Sequence, residues 1–284
     1  MPSFTHAGHT LTWETHNSDD HPIIFIHGYS GNRAIWRREL ERFAPLGRCI
    51  TLDLPGHYPA TVPAGYRTLH QDDLIELETR AVQAIVGNSP VTLVGHSTGG
   101  LVALAVAARL PQQVQRVVSL NSVVWGPLSG VLRQFQRWLR TGGYARYWLL
   151  YRMTQLSFRL MMQGIADSYV ADAKALRHNR MVWEACRLWH PSYRHSRIHN
   201  FAVLLRMLES CDIRPLIAGM AVPVLAITGA ADPVVPAEQT RWLARHLPHV
   251  QLHVLENVGH MTQWEAAPQF EQLVSNWLAE PVLG

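Results

Sequence analysis

One ten-residue stretch, Val91-Thr92-Leu93-Val94-Gly95-His96-Ser97-Thr98-Gly99-Gly100, limits what this chain can fold into more than any other. Strand-favouring residues run into Gly-x-Ser-x-Gly, and residues 101–110 then read as a buried helix of small and apolar side chains. A serine on such a strand-to-helix turn is held in strained backbone geometry, so its neighbours two positions away must lack bulk. Gly95 and Gly99 occupy those positions. The turn lifts the Ser97 hydroxyl out of the sheet and sets the positive end of a helix dipole beneath it. Ser97 is therefore the candidate nucleophile. The competing reading, a glycine-rich turn that only packs tightly, has to be weighed against the rest of the chain.

That rest alternates between two periodicities. Residues 11–15 alternate like a short strand. Residues 23–26, Ile-Ile-Phe-Ile, form the continuous apolar run of a strand buried on both faces and end in His27-Gly28-Tyr29-Ser30-Gly31. Residues 34–43 form an amphipathic helix with Trp36, Leu40 and Phe43 on one side. Residues 49–52 are a strand leading to the turn Asp53-Leu54-Pro55-Gly56-His57, and residues 69–86 a long helix. Further strands are expected at 116–121, 223–228 and 250–255, with helices at 236–247 and 265–278. Strands alternating with helices imply a mostly parallel central sheet flanked by helices, an α/β architecture. Between residues 126 and 206 no clear strand appears. That stretch is helical and rich in large residues, and it is expected as an inserted helical cap on a core made of 1–125 and 207–284.

Composition narrows the class. No run of about 18 uninterrupted apolar residues occurs, so a membrane span is not expected. Met1-Pro-Ser-Phe-Thr-His has neither a basic head nor an apolar segment, so no signal peptide is expected. Cys49, Cys186 and Cys211 are too far apart for a metal or disulfide pattern, which fits a reducing cytoplasm. No metal set and no dinucleotide-binding Gly-x-Gly-x-x-Gly is present, so no cofactor is expected. The net charge of +4 is unevenly spread. Residues 131–206 carry thirteen basic side chains against Asp167, Asp172 and Glu184, a net of +10 within a mildly acidic host. No nucleic-acid module accompanies this charge.

In an open sheet of this kind, functional groups gather beyond the carboxyl ends of the strands. Gly28, Asp53, Ser97, Asp232 and His260 all follow strands. A nucleophilic serine needs a base, and the base an orienting acid. Among 16 histidines, His260 is singled out by Asn257-Val258-Gly259-His260-Met261, after the last strand and before the last helix. Asp232, in the loop after the preceding strand, is the expected acid. Asp212 precedes that strand and is expected to pair locally beside Arg214-Pro215. The developing oxyanion needs preorganised donors, each worth about 3–4 kcal/mol in measured cases. The backbone N–H groups of Thr98 and Tyr29 are the candidates. His57 and His96 are expected to hold the neighbouring loops rather than to react.

These elements together resemble an α/β-hydrolase, of the serine carboxylesterase-like kind with a helical cap. The motifs that carry the resemblance are His27-Gly28-Tyr29-Ser30-Gly31, Asp53-Leu54-Pro55-Gly56-His57, Gly95-His96-Ser97-Thr98-Gly99-Gly100, Gly229-Ala230-Ala231-Asp232 and Gly259-His260. They span the whole chain except the cap. Two positions depart from the pattern. Tyr58-Pro59 follows the second histidine motif where the family often has glycine, and Thr98 follows the serine where it often has methionine or leucine. The chain order Ser, Asp, His agrees with the family. A serine at the elbow sets the chain apart from relatives that resemble haloalkane dehalogenases and epoxide hydrolases, which use aspartate there.

The resemblance implies hydrolysis of a carboxylic ester through an acyl-enzyme. The same triad also serves thioesterases, acyl-homoserine lactonases and carbon–carbon bond hydrolases of dienol diketones. A non-enzymatic binding protein that kept the fold would normally lack a triad member, and none is missing. Aromatic residues and the methionines Met153, Met161, Met162 and Met181 suggest an apolar, adaptable pocket in the cap. Trp125, Trp148 and Met162 are the expected substrate contacts. Arg133, Arg137 and Arg140 recur on one helical face, either as a solvated face or as a dock for an anionic partner. Such a partner would be an acyl carrier protein, coenzyme A or lipid headgroups.

Overall fold

A computed structural model describes residues 1–281. Its sheet has eight strands: β1 (Ser3–His6), β2 (His9–Thr15), β3 (Pro22–Ile26), β4 (Arg48–Leu52), β5 (Val91–His96), β6 (Val114–Leu120), β7 (Val224–Gly229) and β8 (Val250–Leu255). They lie in the order β1-β2-β4-β3-β5-β6-β7-β8. β1 and β2 pair antiparallel, as do β2 and β4, and every later pair is parallel. β3, β5 and β7 are buried along their whole length, as their unbroken apolar runs require. β1 is an addition to the sequence reading. It is a polar edge strand, half exposed, turned back onto β2 by Ala7 and Gly8, both at positive φ.

Helices cover both faces. Before the cap come α1 (Arg37–Phe43), α2 (Gln71–Val86) and α3 (Thr98–Arg109). The helix expected over 34–43 starts one residue earlier as a short 3-10 turn, Arg33–Trp36, capped by Asn32, whose side chain accepts from Ala34 N at 2.8 Å. Between β6 and β7 come α4 (Gly130–Arg140), α5 (Tyr144–Leu156), α6 (Phe158–Ser168), α7 (Ala173–His178), α8 (Arg180–His195), α9 (Ile198–Ser210) and the short α10 (Arg214–Ile217). α9 runs through residue 206, where the sequence places the end of the insert. It is also one of the parts of the insert tied into the core: the amide of Asn200 donates to Gly56 O at 3.4 Å. α11 (Ala237–His246), α12 (Thr262–Glu265) and α13 (Ala267–Ala279) complete the chain. The helix expected over 265–278 starts at residue 267, because Pro268 in the first turn of α13 has no N–H with which to continue the preceding α12.

Sequence order places the reaction face. From β3 the chain steps to β4 on one side, then crosses back to β5 on the other. Beyond the carboxyl ends of β3 and β5, loops diverge in opposite directions and leave a crevice. Gly28-Tyr29 follows β3 and Ser97 follows β5, so both stand at this switch point. In β6, Arg116 donates to Trp277 O at 2.7 Å and Leu278 O at 3.2 Å and also reaches Glu280 O. It thereby satisfies the open carbonyls at the end of α13.

Candidate active site

Ser97 adopts φ 57 and ψ −117, the strained conformation expected of the elbow. Close packing maintains it. A Cβ at Gly99 would collide with the carbonyl oxygens of Ile26 and His27, and one at Gly28 would stand 2.9 Å from Ser97 Cβ. Glycine at these places lets the β3 loop close over the elbow. Ser97 N donates to Leu120 O at 2.9 Å, and Ser97 O accepts from Gly100 N and Leu101 N at the start of α3.

His260 is 2 % exposed and bonded on three sides. Its Nδ1 lies 2.7 Å from Asp232 Oδ2. Its backbone N donates to Tyr169 O at 2.7 Å, and its carbonyl accepts from His96 Nε2 at 2.9 Å. The carboxylate fixes the proton on Nδ1 and leaves Nε2 as the basic nitrogen. Asp232 is held equally firmly. Oδ1 accepts from Val234 N at 2.8 Å and Val235 N at 2.9 Å, and Oδ2 accepts from Asn121 Nδ2 at 2.8 Å. Burial pushes this carboxyl up, but His260 and the donated hydrogen bonds outweigh it and hold Asp232 below the ordinary carboxylate range. Asp212 is instead engaged by Arg214, whose Nε lies 2.8 Å from Oδ1, as the sequence suggests.

Two amides beside Ser97 are left without a protein acceptor among the described residues. Thr98 opens α3, so its N–H has no intrahelical partner. In the β3 loop, Ser30 N donates to His57 Nε2 at 3.1 Å and Gly31 N to Gly28 O at 3.0 Å, while Tyr29 N has no protein acceptor among the described residues. The buried histidines His27, His57 and His96 scaffold these loops. Burial lowers all three, His57 to about 4 and His96 to about 3, which keeps them neutral. Neutral His57 and His27 can then accept from Ser30 N and Leu54 N.

Two supporting residues escaped the sequence reading. Asn121, at the end of β6 with φ 43, bonds Asp232 and Gly259 O and accepts from Thr262 Oγ1 at 2.6 Å. Glu265 accepts from Gly259 N at 3.0 Å, Met261 N at 3.1 Å and Ala171 N at 2.7 Å. It clamps the residues on either side of His260 and ties them to the insert. No local motif marks either residue; each works through contacts distant in sequence.

Ser97 and His260 open into one cavity with about 920 Å³ of empty space, part of it open to solvent. Its floor includes Gly28, Tyr29 and His96, and its walls are mostly apolar side chains of the insert, among them Leu132, Phe135, Leu150, Met161, Ile165 and Trp189. The three expected substrate contacts stand elsewhere. Trp125 lies under the Arg214 guanidinium at 4.8 Å and packs edge-on to Trp242. Trp148 points outward from α5 and is 42 % exposed. Met162 is buried, but its neighbour Met161 is the one that lines the cavity. Tyr151 and Tyr193 of the insert do line the cavity. The arginine row on α4 also changes meaning, because Arg133 and Arg140 both pair with Glu209 of α9, at 3.1 and 3.3 Å.

A parallel sheet with a strained serine at its switch point and an Asp–His pair at the same edge defines a serine hydrolase architecture. The chain belongs to the α/β hydrolase fold family, whose model matches residues 21–267. It is similar over 97 % of its length to a 2-hydroxy-6-oxononadienedioate/2-hydroxy-6-oxononatrienedioate hydrolase of Escherichia coli (strain K12), at 28 % identity and covering 93 % of that protein. Among solved structures it resembles the enol-lactonase from Burkholderia xenovorans LB400, with TM-score 0.78 and 19 % identity over 98 % of this chain and 100 % of that one. It also resembles a thermophilic esterase from Thermogutta terrifontis, with TM-score 0.72 and 19 % identity over 95 % of this chain and 93 % of that one. Among the described residues no helix is long and apolar enough to cross a membrane.

Proposed function

We propose that the chain hydrolyses carboxylic esters with an uncharged, apolar acyl group, using Ser97, His260 and Asp232. Ser97 Oγ attacks the carbonyl carbon as His260 Nε2 takes its proton. The N–H groups of Tyr29 and Thr98 hold the oxyanion. His260 then protonates the departing alcohol, and water cleaves the acyl-enzyme by the same route. Asp232 keeps the imidazole oriented and stabilises its charged form.

The observation that carries the choice of substrate is the cavity wall. Neither arginine nor lysine is among the residues lining it. A dicarboxylate would place charges among apolar and tyrosyl groups with no cation to meet them, at a cost of several kcal/mol per ion. This separates the chain from the dienedioate hydrolase it resembles. The sequence relationship still favours carbon–carbon bond hydrolysis as a second reading, on an uncharged diketone.

The test is a panel of p-nitrophenyl esters of rising chain length, the matching thioesters and lactones, and a dienol diketone with and without a distal carboxylate. We expect turnover of the apolar esters and little of the dicarboxylate. Preferred cleavage of the dicarboxylate would overturn the reading. In Ser97→Ala, kcat for the best substrate should fall by at least about 10⁴-fold. Unchanged turnover would remove Ser97 from the mechanism.

A further inference from the structure

α5 is apolar on both sides. Tyr147, Tyr151 and Gln155 face inward and are buried. On the opposite side, Leu149, Leu150, Met153 and Leu156 are exposed at 54, 40, 43 and 60 %, and Leu160 at the start of α6 extends the strip. A helix face of large apolar side chains is ordinarily covered. Here the outer half has no cover among the described residues. A contiguous exposed strip of large apolar side chains marks an interaction surface.

Charge says what kind. Arg146 and Arg159 are exposed beside the strip, Arg152 flanks it, and none of the three has a carboxylate partner among the described residues. The only acid in α5 and α6, Asp167, is already engaged by Arg177 at 2.8 Å. A second copy of this chain would bring like charges face to face. An acyl carrier or coenzyme would meet the arginines but leave the leucines in water. Large apolar side chains ringed by arginine suit a bilayer surface bearing anionic headgroups.

The strip also adjoins the cavity. Leu150 belongs to both, 40 % exposed on the outside and part of the wall within. We infer that the outer face of α5 and the start of α6 seat the enzyme on an anionic lipid surface, so that amphiphilic esters pass from the lipid into the cavity beside Leu150. The membrane contact itself stands apart from the proposed ester hydrolysis, whereas the route for the substrate rests on it.

The test uses the full chain and vesicles, with no substrate present. Cosedimentation is compared on phosphatidylcholine alone and on phosphatidylcholine mixed with phosphatidylglycerol. We expect binding to the mixed vesicles, weakened by salt, with a blue shift of tryptophan emission as Trp148 enters the interface. Leu149→Ser/Met153→Ser/Leu156→Ser should weaken binding about tenfold or more, and Arg146→Gln/Arg159→Gln should remove the preference for anionic lipid. None of these residues lines the cavity, so hydrolysis of a short soluble ester should stay within about twofold in both variants. Any of three results would overturn the inference: no vesicle binding by the wild-type chain, equal binding by the triple variant, or a dimer in sedimentation velocity that the triple variant loses. Capture by an acyl carrier protein without vesicle binding would do the same. Each leaves ester turnover to be judged separately.

Discussion

Asn121 holds two of the groups proposed to act in the reaction. Its amide holds Asp232 Oδ2 and Gly259 O, and its carbonyl oxygen accepts from Thr262, so both the acid and the loop of the base hang from one side chain. A hydrogen bond to a charged group contributes roughly 1.5–3 kcal/mol. If that stabilises the working geometry, Asn121→Ala should lower kcat by roughly 10- to 100-fold. KM should stay unchanged, because Asn121 does not line the cavity. Steady-state kinetics separates the two, and a rise in KM at constant kcat would assign Asn121 to substrate binding instead. That Ser97, Asp232 and His260 would gather at one sheet edge was legible in the sequence, because each follows a strand in a recognisable turn. Asn121 was not, since one more polar residue at a strand end is unremarkable until Asp232, 111 residues later, folds onto it.

At the scale of elements, α5 is joined to the β3 loop through hydroxyl groups. Tyr29 Oη lies 2.7 Å from Tyr147 Oη and accepts from Tyr151 Oη at 2.9 Å. The residue whose amide is proposed to hold the oxyanion is thus fixed by the insert. Tyr147→Phe removes one bond worth about 1 kcal/mol, and should lower Tm by roughly 2–4 °C. Adding Tyr151→Phe strands a buried hydroxyl on Tyr29, so the double variant should lose more than the sum of the singles. Calorimetry of the four proteins measures this, and strict additivity would deny the coupling. Periodicity alone could not orient α5. Large side chains recur around the helix, so Trp148 is the expected contact, yet it is Tyr151 that lines the cavity. Only packing against Tyr29 and Phe201 decided which side faces in.

Across the whole molecule, buried titratable groups set a pH window for stability. His57 and His96 have folded values of about 4 and 3, below the ordinary 6.5. Their contribution is complete above 6.5 and is lost as pH falls toward the folded values. Glu39 is raised by burial to about 8 from 4.5, so its contribution has the opposite sign. It is complete below 4.5 and is lost as pH rises through 8. Glu39→Gln should therefore leave the acid side of the Tm profile alone and lift the alkaline side. The gap in Tm between variant and wild type should widen from pH 5 to pH 8. A constant gap would show that Glu39 does not titrate in this range.

The sequence by itself determined the alternation of strands and helices in the core from residue 11 onward, the elbow and the identity of the groups that follow the core strands. Those depend on periodicity and on glycine, which act over a few residues. The tertiary structure decided what depends on distant residues meeting. It hung Asp232 and Gly259 from Asn121, and tied two of the three α4 arginines to Glu209. It turned Trp125 and Trp148 away from the cavity and enclosed a pocket without a cation. Charge at a pocket wall is a property of which faces pack together, and no run of residues along the chain records it.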